Sequence, residues 1–248
     1  MISAPPSLLA DQGTTGLELG ALKPRTVPVE GRLSAQRLAV LLVTLPVFVQ
    51  APLVHAHPLI ATLLTIPLLS AGILLGLSAQ QQRAQLGAVL VGFAGSWFCG
   101  SLFWGWLRLH PLLHLPIEAL ALPLAVTGLR SRWQLAGGVY LASLVGTAAT
   151  DAAMALTGLM PLWPAALAAE PGAAMGLLQE AAMRVLTPAN LAVVLGFAAV
   201  LLGLGLGLRR RGGCTTNQVA AATLITTLAV DAVFLLLALA APGWSGLI

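Results

Sequence analysis

The sequence predicts an all-α, polytopic transmembrane helix bundle of about seven spans. Three observations carry that prediction. Of 248 residues, 58% are hydrophobic and only 8% charged, with a mean hydropathy of +0.93, whereas in soluble chains charged residues approach a quarter. Apolar runs of about 20 residues recur, each long enough for a helix to cross roughly 30 Å of hydrocarbon. No alternating period-2 pattern is visible, and isolated strands leave backbone groups unsatisfied in lipid, so helices are the solution.

Residues 1–37 hold Lys23, Arg25, Arg32 and Arg37 among prolines and glycines, without helical periodicity. They read as a flexible cytoplasmic tail. A cleavable signal needs its apolar region close to the N-terminus, and here the first long apolar run starts at about Leu38. The bundle, 38–241, divides into spans at 38–56, 59–78, 86–107, 112–129, 135–157, 189–208 and 219–241, and a short tail, 242–248, follows. Only His57 and Pro58 separate the first two spans, which predicts a tight hairpin, and Pro46, Pro52 and Pro67 predict kinks in it. Between spans five and six, 158–188 is an outer loop. In it Met175, Leu178, Glu180 and Arg184 recur at helical spacing, as in a short helix on the membrane surface or a connecting helix packed on the bundle.

The net charge of +4 does not indicate nucleic acid, because the cations are scattered through short loops. If the N-terminus is cytoplasmic, that side holds the four cations of the tail, Arg83, Arg130, Arg132 and Arg209 to Arg211. The other side holds Arg108 and Arg184 alone. This is the positive-inside bias with every alternate loop agreeing, and it predicts the N-terminus inside and the C-terminus outside.

Three acids fall within predicted spans: Glu118, Asp151 and Asp231. Each costs about 2.5 to 3.5 kcal/mol at a helix centre on insertion scales, which makes each a candidate for substrate binding or proton passage. Counting along the helices puts Glu118 roughly 9 Å below the outer surface, Asp151 close to the outer boundary and Asp231 near the midplane. His55 and His57 end the first span, and His110, His114 and Arg108 surround the turn between the third and fourth, so the histidines gather on the same outer side. His114 and Glu118 share a helix face, as do Ser143, Thr147 and Asp151 in span five and Thr227 and Asp231 in span seven. Such polar stripes face other helices or a wet cavity. Arg108 is the expected counter-ion for Glu118 or Asp151. The bland alternatives are polar span ends meeting headgroups and a purely structural ion pair.

A metal or haem ligand set including His110 and His114 is chemically available, with His55 and His57 as further ligands, but one HxxxH is a weak signal. No cofactor is therefore expected. The cysteines, Cys99 and Cys214, have no CxxC or metal spacing. Trp97, Phe98, Phe103, Trp104 and Trp106 read as an interfacial aromatic belt rather than a pigment site. Lys23 is the only lysine, which excludes a retinal Schiff base, and no nucleotide-binding, HExxH or GxSxG motif occurs. Enzyme activity is not expected.

The stretches "PVFVQAPLV", "GSLFWGWLRLHPLLHLPIEALALP", "YLASLVGTAATD" and "TLAVDAVF" resemble an uncharacterised family of cyanobacterial integral membrane proteins over about 38–241. That resemblance carries no activity. It implies a plasma or thylakoid membrane, with the outer side as periplasm or lumen. Two function classes follow: a permease-like protein with an outward-facing acidic and histidine cluster, or a non-catalytic assembly or accessory factor of a photosynthetic membrane complex. The expected partners are the lipid bilayer and, in the second class, other membrane subunits.

Overall fold

The computed structural model describes residues 34–241, which form helices and turns with no strand among them. The two tails expected from the sequence lie outside the described residues, except that Ala35–Arg37 already belong to the first helix. Helix α1 (Ala35–Leu45) starts at Ser34, whose hydroxyl accepts from Arg37 N at 3.2 Å. It passes through a π-helical turn, Pro46–Gln50, into α2 (Ala51–Ala56), and the arms Ala35–Leu45 and Phe48–Ala56 are bent by 44°. Pro46 and Pro52 each remove a backbone donor here, which explains the break.

After His57 come α3 (Pro58–Leu63) and α4 (Thr65–Gly76), then α5 (Gln81–Leu102), which ends in a second π-helical turn, Phe103–Leu107. A 3-10 turn, Pro111–Leu113, leads into two short helices, α6 (His114–Glu118) and α7 (Leu122–Gly128). The rest is α8 (Gln134–Leu156), α9 (Leu162–Ala168), α10 (Pro171–Val185), α11 (Pro188–Arg210) and α12 (Thr215–Ala240). Proline opens α3, α10 and α11 at the first helical position, where its missing N–H costs nothing. Gly212 and Gly213, both at positive φ, end α11.

Six runs are long and apolar enough to cross a membrane: Pro58–Gly76, Gln81–Leu107, Pro111–Gly128, Gln134–Leu156, Pro188–Arg210 and Thr215–Ala240. The bent pair α1–α2 makes a seventh if it counts as one. Each coincides with an expected span. The largest shifts are at Gln81 and Thr215, where a polar first turn extends the helix ahead of its apolar stretch. The 158–188 segment holds two helices rather than one, α9 and α10.

Helix α5 is the centre of the bundle: 61% of its apolar window is buried, against 11% for the windows in Pro58–Gly76 and Pro188–Arg210. Those outer runs present large apolar side chains outward, Leu59, Ile66, Leu74, Leu195 and Val200 among them. Small residues let backbones meet. A Cβ on Gly92 of α5 would stand 2.5 Å from Ala136 O of α8, closer than atoms pack. Gly92→Ala is therefore expected to cost about 1–3 kcal/mol by overpacking, measured as thermal unfolding in detergent. Gly203→Ala on α11, where nothing lies within 4 Å, serves as the neutral control.

Candidate functional site

The fourth expected span is broken in its middle, and that break builds the site. Pro123 has no N–H, and its ring excludes a regular helix back to Ala119. The chain turns instead at Ala119–Ala121, where Leu122 N donates to Ala119 O at 2.9 Å. The carbonyl of Glu118 is left without its helical partner, and the Tyr140 hydroxyl on α8 donates to it. The same hydroxyl accepts from Ala121 N at 3.2 Å, so one side chain closes both ends of the break. Broken helices persist in a bundle only when neighbours re-satisfy the freed groups in this way.

A second break faces it. The π-helical turn of span one carries Gln50, a buried side chain, against α5. Its Nε2 donates to Trp97 O at 2.7 Å and to Ser101 Oγ at 2.9 Å. A Cβ at Gly100 would lie 3.3 Å from Gln50 Nε2 and 3.4 Å from Glu118 Oε1. The glycine thus leaves room for both polar heads to converge.

Between the two breaks lies a cavity of about 190 Å³, room for roughly six waters at their liquid volume. Its walls come from α1 and its π-helical turn, α5, α6, α8 and α12, and its polar lining includes Gln50, Ser96, His114, Glu118, Ser143 and Thr147. Thr223 and Thr227 of α12 complete it. Glu118 is only 9% exposed, and among the described residues no donor forms a hydrogen bond to its carboxylate. The cavity is where that carboxylate finds contact.

His114, one turn before Glu118, also lines the cavity and reaches behind the wall to Asp151. Its Nδ1–H donates to both carboxylate oxygens, at 2.9 and 3.0 Å. Asp151 is 7% exposed and is not part of the wall. The ring is boxed by aromatics: Phe103 at 4.3 Å, Trp163 at 5.6 Å and Trp104 at 6.1 Å between centroids. Trp163, from α9, stacks on Trp104 at 5.1 Å and donates its Nε1–H to Arg108 O at 2.9 Å.

Several expectations need correction. Arg108 pairs with neither Glu118 nor Asp151; its Nη1 donates to His55 Nδ1 at 2.7 Å. The hydrogen-bond partner of Asp151 is His114, because α6 is cut short at Glu118 and lies against α8 at that depth. Asp231 does not join the other acids. It accepts from Thr150 Oγ1 at 2.8 Å, one residue and about 100° round α8 from Asp151. The side chains of His57 and His110 are exposed and make no polar contact among the described residues. No group of three His, Cys, Asp or Glu among the described residues has a geometry that would hold a metal ion. The aromatic belt divides: Trp97 and Phe103 are core residues at 3% and 0% exposure, while Phe98 and Trp106 face outward.

A model for a family described as a protein of unknown function, DUF3120, matches residues 39–239. The chain belongs to the DUF3120 family. The matched stretch takes in the whole cavity wall, the His114–Asp151 pair, Arg108 and Asp231. No curated protein and no solved structure matches the chain. Within the DUF3120 region, sequence reasoning passed over three residues that build the site: Gln50, Tyr140 and Trp163. Gln50 is the one polar residue in "PVFVQAPLV", and Tyr140 is the only tyrosine in the chain, so both left a signal. Trp163 left none, since its role depends on α9 folding back over Trp104.

Proposed function

We propose that this DUF3120 protein is a multi-pass membrane protein working as a permease-type carrier, with the cavity between the two helix breaks as the place where a cationic solute or a proton is held. The reading takes α1–α2 as a seventh span, the N-terminus as cytoplasmic, and the His55–Arg108 end as the outer one. A plasma or thylakoid membrane follows from the resemblance to cyanobacterial proteins. The outward-facing leucines support membrane embedding, since soluble monomers rarely carry apolar surface on that scale. The ten-to-two division of cations supports the orientation.

The observation that carries the function is the Glu118 carboxylate, enclosed at a broken helix and turned to a polar cavity with no donor bound to it among the described residues. Carriers place substrate and coupling-ion sites at discontinuous helices near the middle of the bundle. A buried carboxylate charge without a partner costs several kcal/mol, so the site calls for a proton or a cation. His114, tied to Asp151 and touching the same cavity, is the group placed to exchange protons with Glu118 or its guest. Arg108 and His55 tie the end of α2 to the chain just after the second π-helical turn.

Thiol labelling tests the reading. Cys214 lies in the α11–α12 loop, and hydrogen bonding to the Thr216 side chain, then to the Thr216 and Asn217 backbone, lowers its pKa and favours the reactive thiolate. Cys99 is fully buried. A membrane-impermeant maleimide is expected to label the wild type in inside-out vesicles only; labelling in right-side-out vesicles reverses the orientation. In a Cys214→Ala background, Ser143→Cys is expected to react with an impermeant cationic thiosulfonate added from outside. No reaction at that position contradicts an outward-open aqueous cavity.

A further inference from the structure

We infer that the cavity is a site for a small primary ammonium ion, of roughly five to seven non-hydrogen atoms at one water-sized share of volume each, with Glu118 as its counter-ion. This rests on the carrier reading for the route by which the ion enters, and names the class of solute for that same site.

The sign comes first. Among the described residues neither lysine nor arginine lines the cavity, and Arg108, the expected counter-ion, is engaged with His55. Among the described residues the one ionisable group on the wall besides His114 is the Glu118 carboxylate, and His114 is already bonded to Asp151. An anion would lie against the Glu118 carboxylate, with hydroxyls and the Asp151-bound His114 as its only donors among the described residues.

The hydrogen-bonding inventory then selects among cations. Gln50 spends its N–H donors on Trp97 O and Ser101 Oγ, which leaves its carbonyl oxygen as an acceptor. Thr227 donates to Thr223 O at 3.1 Å, so its hydroxyl turns only lone pairs to a guest. Together with the Glu118 oxygens these are acceptors whose own donors are committed, and the Ser96, Ser143 and Thr147 hydroxyls on the same wall can accept as well as donate. A primary ammonium brings three N–H donors and no acceptor, the complement of that wall. A quaternary ammonium brings the charge but no donor.

Size and the remaining lining complete the argument. About 190 Å³ is far more than a bare metal ion fills, and hard cations want six or more oxygens converging at about 2.0–2.6 Å, which these dispersed groups do not provide. Phe93, Trp104, Leu42 and Val139 supply apolar wall for a short alkyl chain.

The test is binding to the purified full-length protein in detergent, by calorimetry with thermal unfolding as a second readout. The probes are n-butylammonium, 1-butanol as its neutral isostere, tetramethylammonium, and sodium chloride at matched ionic strength. Saturable binding of n-butylammonium is expected, with at least tenfold weaker binding of the other three. Glu118→Gln keeps the side-chain shape and is expected to weaken n-butylammonium at least tenfold. Thr147→Val, an isosteric change on the wall, is expected to weaken it severalfold with an unchanged melting temperature of the free protein. No saturable n-butylammonium binding, equal affinity in Glu118→Gln, or equal binding of sodium or tetramethylammonium overturns the inference. Binding without flux in liposomes would leave this site standing and defeat the carrier reading; flux without ammonium binding would do the reverse.

Discussion

His114→Ala is expected to destabilise the protein by about 3–5 kcal/mol, the cost of leaving a buried ionic partner uncompensated. The Asp151 carboxylate is 7% exposed, and both its oxygens rest on His114 Nδ1. Removing the ring takes away that donor and the packing against Phe103 and Trp163 in one step. Arg108 does not replace it, since it is held at His55. The double variant His114→Ala/Asp151→Ala removes the stranded charge as well and is expected to recover part of the loss, a coupling that a double-mutant cycle of thermal unfolding in detergent measures. A single-variant cost below about 1 kcal/mol, the range of exposed pairs, contradicts a buried ionic contact. Glu180→Gln is the matching control, because the Glu180–Arg184 pair is exposed on both sides.

Glu118→Gln is expected to slow permeation by at least tenfold while leaving the fold intact. The carboxylate makes no hydrogen bond among the described residues, so amide replacement removes a charge without stranding a partner. The backbone bond from Tyr140 to the Glu118 carbonyl is kept, and with it the helix break. What is lost is the negative charge that draws a cation or proton into the cavity, and a loss of about 1.4 kcal/mol in that attraction is already tenfold. Asp231→Asn, away from the cavity wall, is expected to change permeation far less.

The helices were legible in the sequence because apolar runs of membrane-crossing length leave little choice of secondary structure in lipid. The acids were legible too, since a carboxylate inside such a run is costly and stands out. Their pairing was not. Residue spacing places His114 and Glu118 on one face, but only the break after Glu118 decides that His114 meets Asp151, and the break rests on Pro123 acting from the next turn. Pro46, Pro52 and Pro67 were read as kinks while Pro116 and Pro123 were not, although the same physics applies to all five. Arg108 was matched to an acid by charge alone. Its distance from them follows from the π-helical turn Phe103–Leu107, which no period of 3.6 anticipates. Asp231 looked like a third member of the cluster by depth, but depth does not fix which face of α8 it meets.

Flux through the reconstituted protein tests the central claim most directly. Wild-type protein, Glu118→Gln and protein-free liposomes are loaded with a pH-sensitive dye, given an outward n-butylammonium gradient at fixed pH and clamped membrane potential, and followed for internal pH against a 1-butanol control. The carrier account predicts a wild-type rate at least tenfold above Glu118→Gln after subtraction of the protein-free rate. Equal rates in all three, from protein that is monodisperse and folded, contradict it and favour the accessory-subunit reading.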